Sequence, residues 1–299
     1  MTTRIMGLSG KKQSGKSTSA NHLCGIKLKS KGLIDDFRLA DDGMLHVLTK
    51  NADGVQAWGE LDMTRTDEDF VSKAQQDIWP YVKLYSFADA LKSMCVNLLE
   101  IPYETIYGTN KQKDELTHLL WENMPGVITD EELWNHILEL YPEGLEPVDL
   151  VYHATGYMTG REVMQYFGTD VMRGIYGPVW INNTLKRIAA EQTELALITD
   201  IRFPNESDGV VKFGGEVIRL LRELSPDDRH SSETQLDSEN YDHNKFTFLI
   251  NNTEQPIGFL QGRLDKIYMG EIKKVEFTGF KTKELSNAGN AQNKQEVVD

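Results

Sequence analysis

Two glycines, a lysine and a serine near the start of the chain carry its most specific chemistry. Gly10-Lys11-Lys12-Gln13-Ser14-Gly15-Lys16-Ser17-Thr18 fits Gly-x-x-x-x-Gly-Lys-Ser, the spacing of a phosphate-binding loop. Gly10 and Gly15 let backbone N–H groups curl round a polyphosphate, and the helix that follows turns its positive end to the same anion. In such a loop Lys16 bridges the β- and γ-phosphates of a nucleotide and the Ser17 hydroxyl holds Mg²⁺. The bland alternative is a surface turn that matches by chance. The run Ile5-Met6-Gly7-Leu8 directly before it and helix-forming sequence directly after argue against chance. The loop implies a nucleotide and leaves the reaction open.

Three charged residues further along could meet phosphate. Thr159 and Glu162 fit a capping box, which puts Arg161 in the first turn of a helix that should end at Gly168. A cation there opposes the helix dipole unless an anion is bound, so Arg161 is a candidate phosphate ligand; an ordinary exposed arginine is the alternative. Asp200 and Arg202 follow the apolar strand Leu195-Ala196-Leu197-Ile198-Thr199, at the carboxyl end where open α/β sheets gather ligands. Arg202 suits bidentate phosphate recognition. Asp200 could orient Mg²⁺ through water or contact substrate, or simply cap the next helix. A nucleophile reading of His230 and Ser231 fails for want of a strained elbow and a third partner.

The elements that must position these residues alternate between strand and helix. Ala20, Leu23, Cys24 and Leu28 form the buried stripe of a helix that starts at Lys16. Strands are expected at residues 4–8, 82–87, 195–199, 216–222 and 246–250, with Gly214-Gly215 stopping the helix before the fourth. Helices should turn inward Leu91, Met94, Cys95 and Leu98, then Trp180, Ile181, Leu185, Ile188 and Ala189, then Ile257, Leu260, Leu264 and Ile267. This alternation predicts an α/β fold: a parallel five-stranded sheet with helices on both faces. Residues 32–79 break the pattern and read as an inserted, partly exposed element, with a hairpin turn at Asp41-Asp42-Gly43 and a further turn at Asn51 to Gly54. The acidic stretches Asp130-Glu131-Glu132 and Glu143 to Asp149 read as a solvated face or loop. One domain over residues 1–283 explains the length better than two, with an acceptor or lid region at about 100–190 and a flexible tail at 284–299.

The totals exclude several classes. A net charge of −14 disfavours a nucleic-acid partner, because a backbone-tracking surface needs clustered Lys and Arg. It also makes each cation near a phosphate site more informative. No window reaches the roughly 18 apolar residues of a membrane span, and the polar N-terminus lacks a signal peptide's apolar core, so no membrane partner and a cytoplasmic location are expected. Cys24 and Cys95, with no zinc spacing around them, read as buried free thiols.

With these segments in order, the chain resembles the deoxynucleoside monophosphate kinases of tailed bacteriophages. The resemblance runs with gaps from the loop to about Met269. It rests on Ser9 to Lys16, Ser86-Phe87-Ala88-Asp89-Ala90-Leu91-Lys92, the Tyr107-Gly108-Thr109 to Trp121 stretch, Arg161 to Asp170, and Asp200-Ile201-Arg202 with Glu206. Met164-Gln165-Tyr166-Phe167-Gly168-Thr169-Asp170 and the Asp-x-Arg after a strand are far more selective together than the loop alone. The resemblance implies a P-loop fold of the nucleoside monophosphate kinase type that binds ATP with Mg²⁺ and phosphorylates dGMP, dTMP or dCMP in the host cytoplasm. It implies that Gly10, Ser14, Gly15, Lys16, Ser17 and Thr18 hold ATP and that Lys12 reaches toward the monophosphate acceptor. Phe87, Ala88 and Lys92 then line the acceptor site, and Arg161, Gly168, Thr169, Trp180, Arg202 and Glu206 complete the base and phosphate contacts.

Two departures matter. Ser17 stands where some relatives have Asp or Thr, which leaves metal binding intact, and the segment from Phe37 to Asp69 and the tail align with nothing in the shorter members. Transfer in such a site needs positive charge from Lys16, Lys12, Arg161 and Arg202, and Arg173 suits a closing lid or an ordinary surface position. A homodimer is compatible with the reading. The competing functions are a P-loop kinase of another small phosphorylated acceptor such as dephospho-coenzyme A, which an acceptor panel separates, and a non-catalytic nucleotide switch. Arg161 and Arg202 weigh against the switch, since it needs no second phosphate site.

Overall fold

The computed structural model describes residues 3–50, 54–141, 150–222 and 234–272. The chain divides into two compact units: Met1–Ser86 with Arg187–Asp299, and Phe87–Lys186.

The first unit is built on the five expected strands, here β1 (Arg4–Gly10), β2 (Val82–Tyr85), β3 (Leu195–Ile201), β4 (Glu216–Leu221) and β5 (Phe248–Asn251). They pair in the order β5-β4-β1-β3-β2, every pair parallel. Every residue of β1 after Arg4 is buried, which a strand covered on both faces requires. Because alternate side chains point to opposite faces, the covering helices can be assigned. Met6 and Leu8 share a core with Ala20, Leu23 and Cys24 of helix α1 (Lys16–Ser30). Ile5 lies on the other face, where a Cβ on Gly215 would come within 3.1 Å of Ile5 Cβ and 2.8 Å of Val210 in the helix Pro204–Lys212.

The inserted segment forms an antiparallel three-stranded sheet, Asp36–Leu39, Leu45–Lys50 and Gln56–Glu60, then a helix Glu68–Asp77 whose first turn is capped by Asp67. The Asp41-Asp42-Gly43 turn joins its first two strands as expected, while Asn51 to Asp53 lie outside the described residues. The insertion is not loosely attached. Leu45 and Val47 enter the main core, and Phe37 sits so close to α1 that a Cβ on Gly25 would come within 2.2 Å of its ring. A glycine inside a helix costs about 1 kcal/mol relative to alanine, and here that cost admits the Phe37 ring. The outer strand Gln56–Glu60 is exposed along its length.

The second unit contains the helices Asp89–Asn97, Tyr103–Tyr107, Asn110–Lys113 and Glu131–Leu140, and the antiparallel pair Leu116–Leu120 with Tyr157–Thr159. Its capping box at Thr159 and Glu162 forms as predicted. The helix it starts does not end at Gly168. After Gly160–Gln165 the chain continues through a π-helical turn, Tyr166–Val171, into Met172–Ile175. Gly168 is needed for proximity rather than termination, since a Cβ there would come within 2.5 Å of the Leu91 side chain.

Three stripe residues differ from expectation. Leu98 caps its helix and is 69% exposed; Ala189 faces solvent while Thr184 is buried; Ile257 opens its helix at 38% exposure. Each lies at or near a helix end, where the neighbouring layer stops. Asp130 caps the helix Glu131–Leu140, whose acidic first turn suits the helix dipole. Glu143 to Asp149, the His230-Ser231 pair and the 284–299 tail lie outside the described residues.

Candidate functional site

The glycine loop leaves the carboxyl end of β1 and enters α1 at Lys16, and its neighbours come from the carboxyl ends of the adjoining strands. Gly10 has no room for a side chain: a Cβ would lie 2.3 Å from Ser14 Oγ and 2.9 Å from the Leu220 carbonyl. Gly15 adopts φ +101°, a conformation that L side chains avoid. Gln13, at φ +60°, takes the left-handed conformation without being glycine, which costs roughly 1–2 kcal/mol. That conformation is held from outside, because Arg222, just past β4, donates to the Gln13 carbonyl at 2.7 Å. Asn252, just past β5, donates to the Ser14 carbonyl at 3.1 Å. Lys16 reaches back across the loop and donates to the carbonyls of Gly10 at 2.5 Å and Lys11 at 2.7 Å. The Ser14 hydroxyl is buried with no hydrogen-bond partner, an orphan that a loop shaped for a polar ligand explains.

Behind the loop lies a charged network that sequence reading missed. Arg219, in the middle of β4 and 3% exposed, donates to Ser9 Oγ at 3.1 Å and to Asp237 at 3.0 Å. Asp237 also pairs with the loop's Lys11 at 2.8 Å. Burying a guanidinium costs several kcal/mol unless it is paired, and here its partners begin and flank the loop. The signal was legible: a lone arginine inside the apolar run Glu216-Val217-Ile218-Arg219-Leu220-Leu221 is out of place for a covered strand.

Asp200 and Arg202 stand beside the loop at the same edge of the sheet, for Ser9 of β1 registers with Ile201 of β3. Asp200 accepts a 2.5 Å hydrogen bond from the Ser86 hydroxyl, which follows β2. The buried Glu206 carboxylate accepts from the backbone N–H groups of Arg202 at 2.8 Å and Phe203 at 3.1 Å. Glu206 therefore sets the turn that presents the exposed Arg202 side chain. Lys12 and Ser17 are exposed on the loop and the first turn of α1.

Magnesium fits this donor set in one way. Among the described residues no cluster of three His, Cys, Asp or Glu side chains could hold a metal ion. The Ser17 hydroxyl is exposed and makes no protein hydrogen bond among them. A hard cation that keeps waters and takes phosphate oxygens suits a single hydroxyl of this kind.

The other predicted residues belong to the second unit. Arg161 is held at 2.7 Å by Asp114 and at 3.2 Å by the Asn110 side chain, so its first-turn position is stabilised by a carboxylate from a neighbouring helix end. Phe87 is buried, Ala88 is the N-cap of the helix Asp89–Asn97, and Lys92 projects from that helix over the Tyr107 ring at 5.3 Å. Trp180 is 4% exposed, with its indole N–H donating to the Gly168 carbonyl at 2.9 Å. These two residues lock the π-helical turn, on which Thr169 is exposed. The Tyr166 hydroxyl bonds the Pro125 carbonyl, fixing the same turn from another side. Burial lifts the Cys95 thiol to about 11 and pushes the Cys24 thiol up further, so both are inert free thiols. No helix among the described residues is long and apolar enough to cross a membrane.

Comparison with known proteins identifies a family. The family model described as deoxynucleotide monophosphate kinase matches residues 88–255, more than half of the chain. A protein of Acanthamoeba polyphaga mimivirus named "Putative deoxynucleotide monophosphate kinase" is 28% identical over 184 residues, covering 56% of this chain and 74% of its own length. The family match takes in Lys92, Arg161, Gly168, Thr169, Trp180, Asp200, Arg202 and Glu206, and begins after the glycine loop.

Proposed function

The chain belongs to the deoxynucleotide monophosphate kinase family, whose members are phosphotransferases, and on that premise we propose that it converts dGMP, dTMP or dCMP to the diphosphate with ATP as donor. The observation that carries the donor half of this reading is the glycine loop at the sheet's carboxyl edge, with Lys16 lying across it and Asp200 and Arg202 beside it. Residues 1–283 act in this reading as one kinase domain, with 284–299 as a tail.

An oxygen of the acceptor's phosphate forms a bond to the γ-phosphorus while the bond from that phosphorus to the β–γ bridging oxygen breaks, and ADP leaves with the electron pair. The acceptor is already a dianion, so no general base is required. What the chain supplies is position and charge. Lys16 bridges the β- and γ-phosphates, and the loop N–H groups hold the donor's polyphosphate. Lys12 turns from the loop to the acceptor. Arg161, Lys92 and Arg202 bind the acceptor's phosphate, and Thr169 contacts its base from the π-helical turn. Gly168, Trp180 and Glu206 support these contacts by fixing the turns that carry them. Ser17 would hold Mg²⁺, which when bound would supply Lewis-acid neutralisation of the spread charge.

An assay of ADP release with each of the four deoxynucleoside monophosphates tests the reading. Turnover above the ATP-only rate with at least one of them is expected, and none above that rate with any overturns it. In the same assay Arg202→Ala should raise the acceptor KM more than the ATP KM.

A further inference from the structure

We propose that the inserted hairpin turn Asp41-Asp42-Gly43 belongs to the donor site, where Gly43, tethered by Asn21, positions the Thr18 hydroxyl for the polyphosphate. The inference rests on the donor role read above for Gly10 to Thr18. It assigns positioning roles to Asn21 and Gly43, which lie in a part of the chain that the family match, beginning at residue 88, does not reach.

Helix α1 has two occupied faces. Ala20, Leu23 and Cys24 share the core with Met6 and Leu8 of the parallel sheet. Thr18, Asn21, His22 and Gly25, spaced at i, i+3, i+4 and i+7, make a second stripe that carries the inserted sheet. At the far end of this stripe the Phe37 ring lies against Gly25, with its centroid 5.4 Å from that of the His22 ring. At the end nearest the glycine loop the stripe meets the hairpin turn. The Asn21 amide donates to the Gly43 carbonyl at 2.9 Å. A Cβ on Gly43 would come within 2.4 Å of Thr18 Oγ1, 3.3 Å of its Cβ and 3.4 Å of its Cγ2, so the glycine is laid along the whole Thr18 side chain. Gly43 is buried and adopts φ +83°, so both the close approach and the backbone exclude a side chain there. The turn is also closed on itself. The Gly43 N–H donates to the Ala40 carbonyl at 2.8 Å, the Ala40 N–H to the Met44 carbonyl at 2.9 Å, and the Met44 N–H to the Asp42 carboxylate at 2.9 Å.

Thr18 stands in the first turn of α1, after Lys16 and Ser17, where helix N–H groups have no intrahelical acceptor and Gly15 supplies no side-chain cap. A threonine in a helix has two rotamers open to it, and it commonly spends its hydroxyl on the carbonyl four residues back. Here that carbonyl, on Ser14, accepts from Asn252 at 3.1 Å. The Thr18 hydroxyl makes no protein hydrogen bond among the described residues. Contact with Gly43 then decides the rotamer. The result is a hydroxyl held beside the loop with its donor capacity unspent, ready for a charge-assisted bond to a phosphate oxygen.

The affinity of the full chain for ATP with magnesium, titrated without acceptor, tests this buttress apart from turnover. Gly43→Ala should weaken ATP binding by about tenfold or more, the size of one charge-assisted hydrogen bond, and Asn21→Ala by about threefold. In a Thr18→Ala background both substitutions should lose their effect on ATP affinity, because the residue through which they act is gone. Gly25→Ala is the control for loosened packing: it disturbs the other end of the same stripe and should leave ATP affinity at the wild-type value. Gly43→Ala and Asn21→Ala chains that bind ATP as the wild type does overturn the inference. So does a loss that persists undiminished without the Thr18 hydroxyl, or one that Gly25→Ala reproduces. Should Gly43→Ala fail to fold, the Asn21→Ala arm decides alone. A chain that shows this coupling yet phosphorylates none of the four monophosphates refutes the kinase reading and keeps the buttress, whereas a wild-type chain that binds no ATP refutes both.

Discussion

The glycine loop and the cations of the second unit are built by opposite means. The loop is made of backbone, and its shape is held by hydrogen bonds from Arg222 and Asn252 to its carbonyls and by Asp237 between Lys11 and Arg219. Lys92 and Arg161 are side chains on two helices, with Asp114 their only carboxylate contact among the described residues. A backbone cradle binds any polyphosphate of the right shape. A side-chain group can be tuned to the charge of one acceptor and altered one residue at a time.

Mutations should separate the two regions sharply. Lys16→Ala should lower turnover by about a thousandfold or more, since it removes charge placed at the transferring group, with a much smaller effect on thermal unfolding because the side chain is only part-buried. Asp237→Ala should act mainly on stability. It removes the Asp237 partner of the buried Arg219 and should cost about 2–4 kcal/mol in urea unfolding, with a rise in ATP KM as Lys11 is released. Gly25→Ala should cost about 1–3 kcal/mol by driving a methyl into Phe37, and Phe37→Leu in the same chain should recover part of it.

The same contrast explains what could be read from residue order. The loop, the five strands and the helix from Lys16 are local patterns, in which a glycine spacing or an apolar run carries its own geometry, and the family match over residues 88–255 is consistent with that α/β reading. The capping box at Thr159 was legible for the same reason. The end of its helix was not. Gly168 reads as a stop by composition, but what it provides is room for Leu91, a contact set by packing between helices far apart in sequence. Asp237 was invisible because its role depends on which charges face it. Arg219 was visible as an anomaly within an apolar strand, and its partners were not. The insertion shows both sides: its hairpin turn was readable, whereas the seating of Phe37 on Gly25 was not.

The most direct test of the central claim is to follow the γ-phosphoryl group itself. With γ-labelled ATP, magnesium and each of the four deoxynucleoside monophosphates, the label should appear in the deoxynucleoside diphosphate in equal amount to the ADP formed, for at least one acceptor. Label released only as inorganic phosphate, at a rate no acceptor changes, would contradict the account.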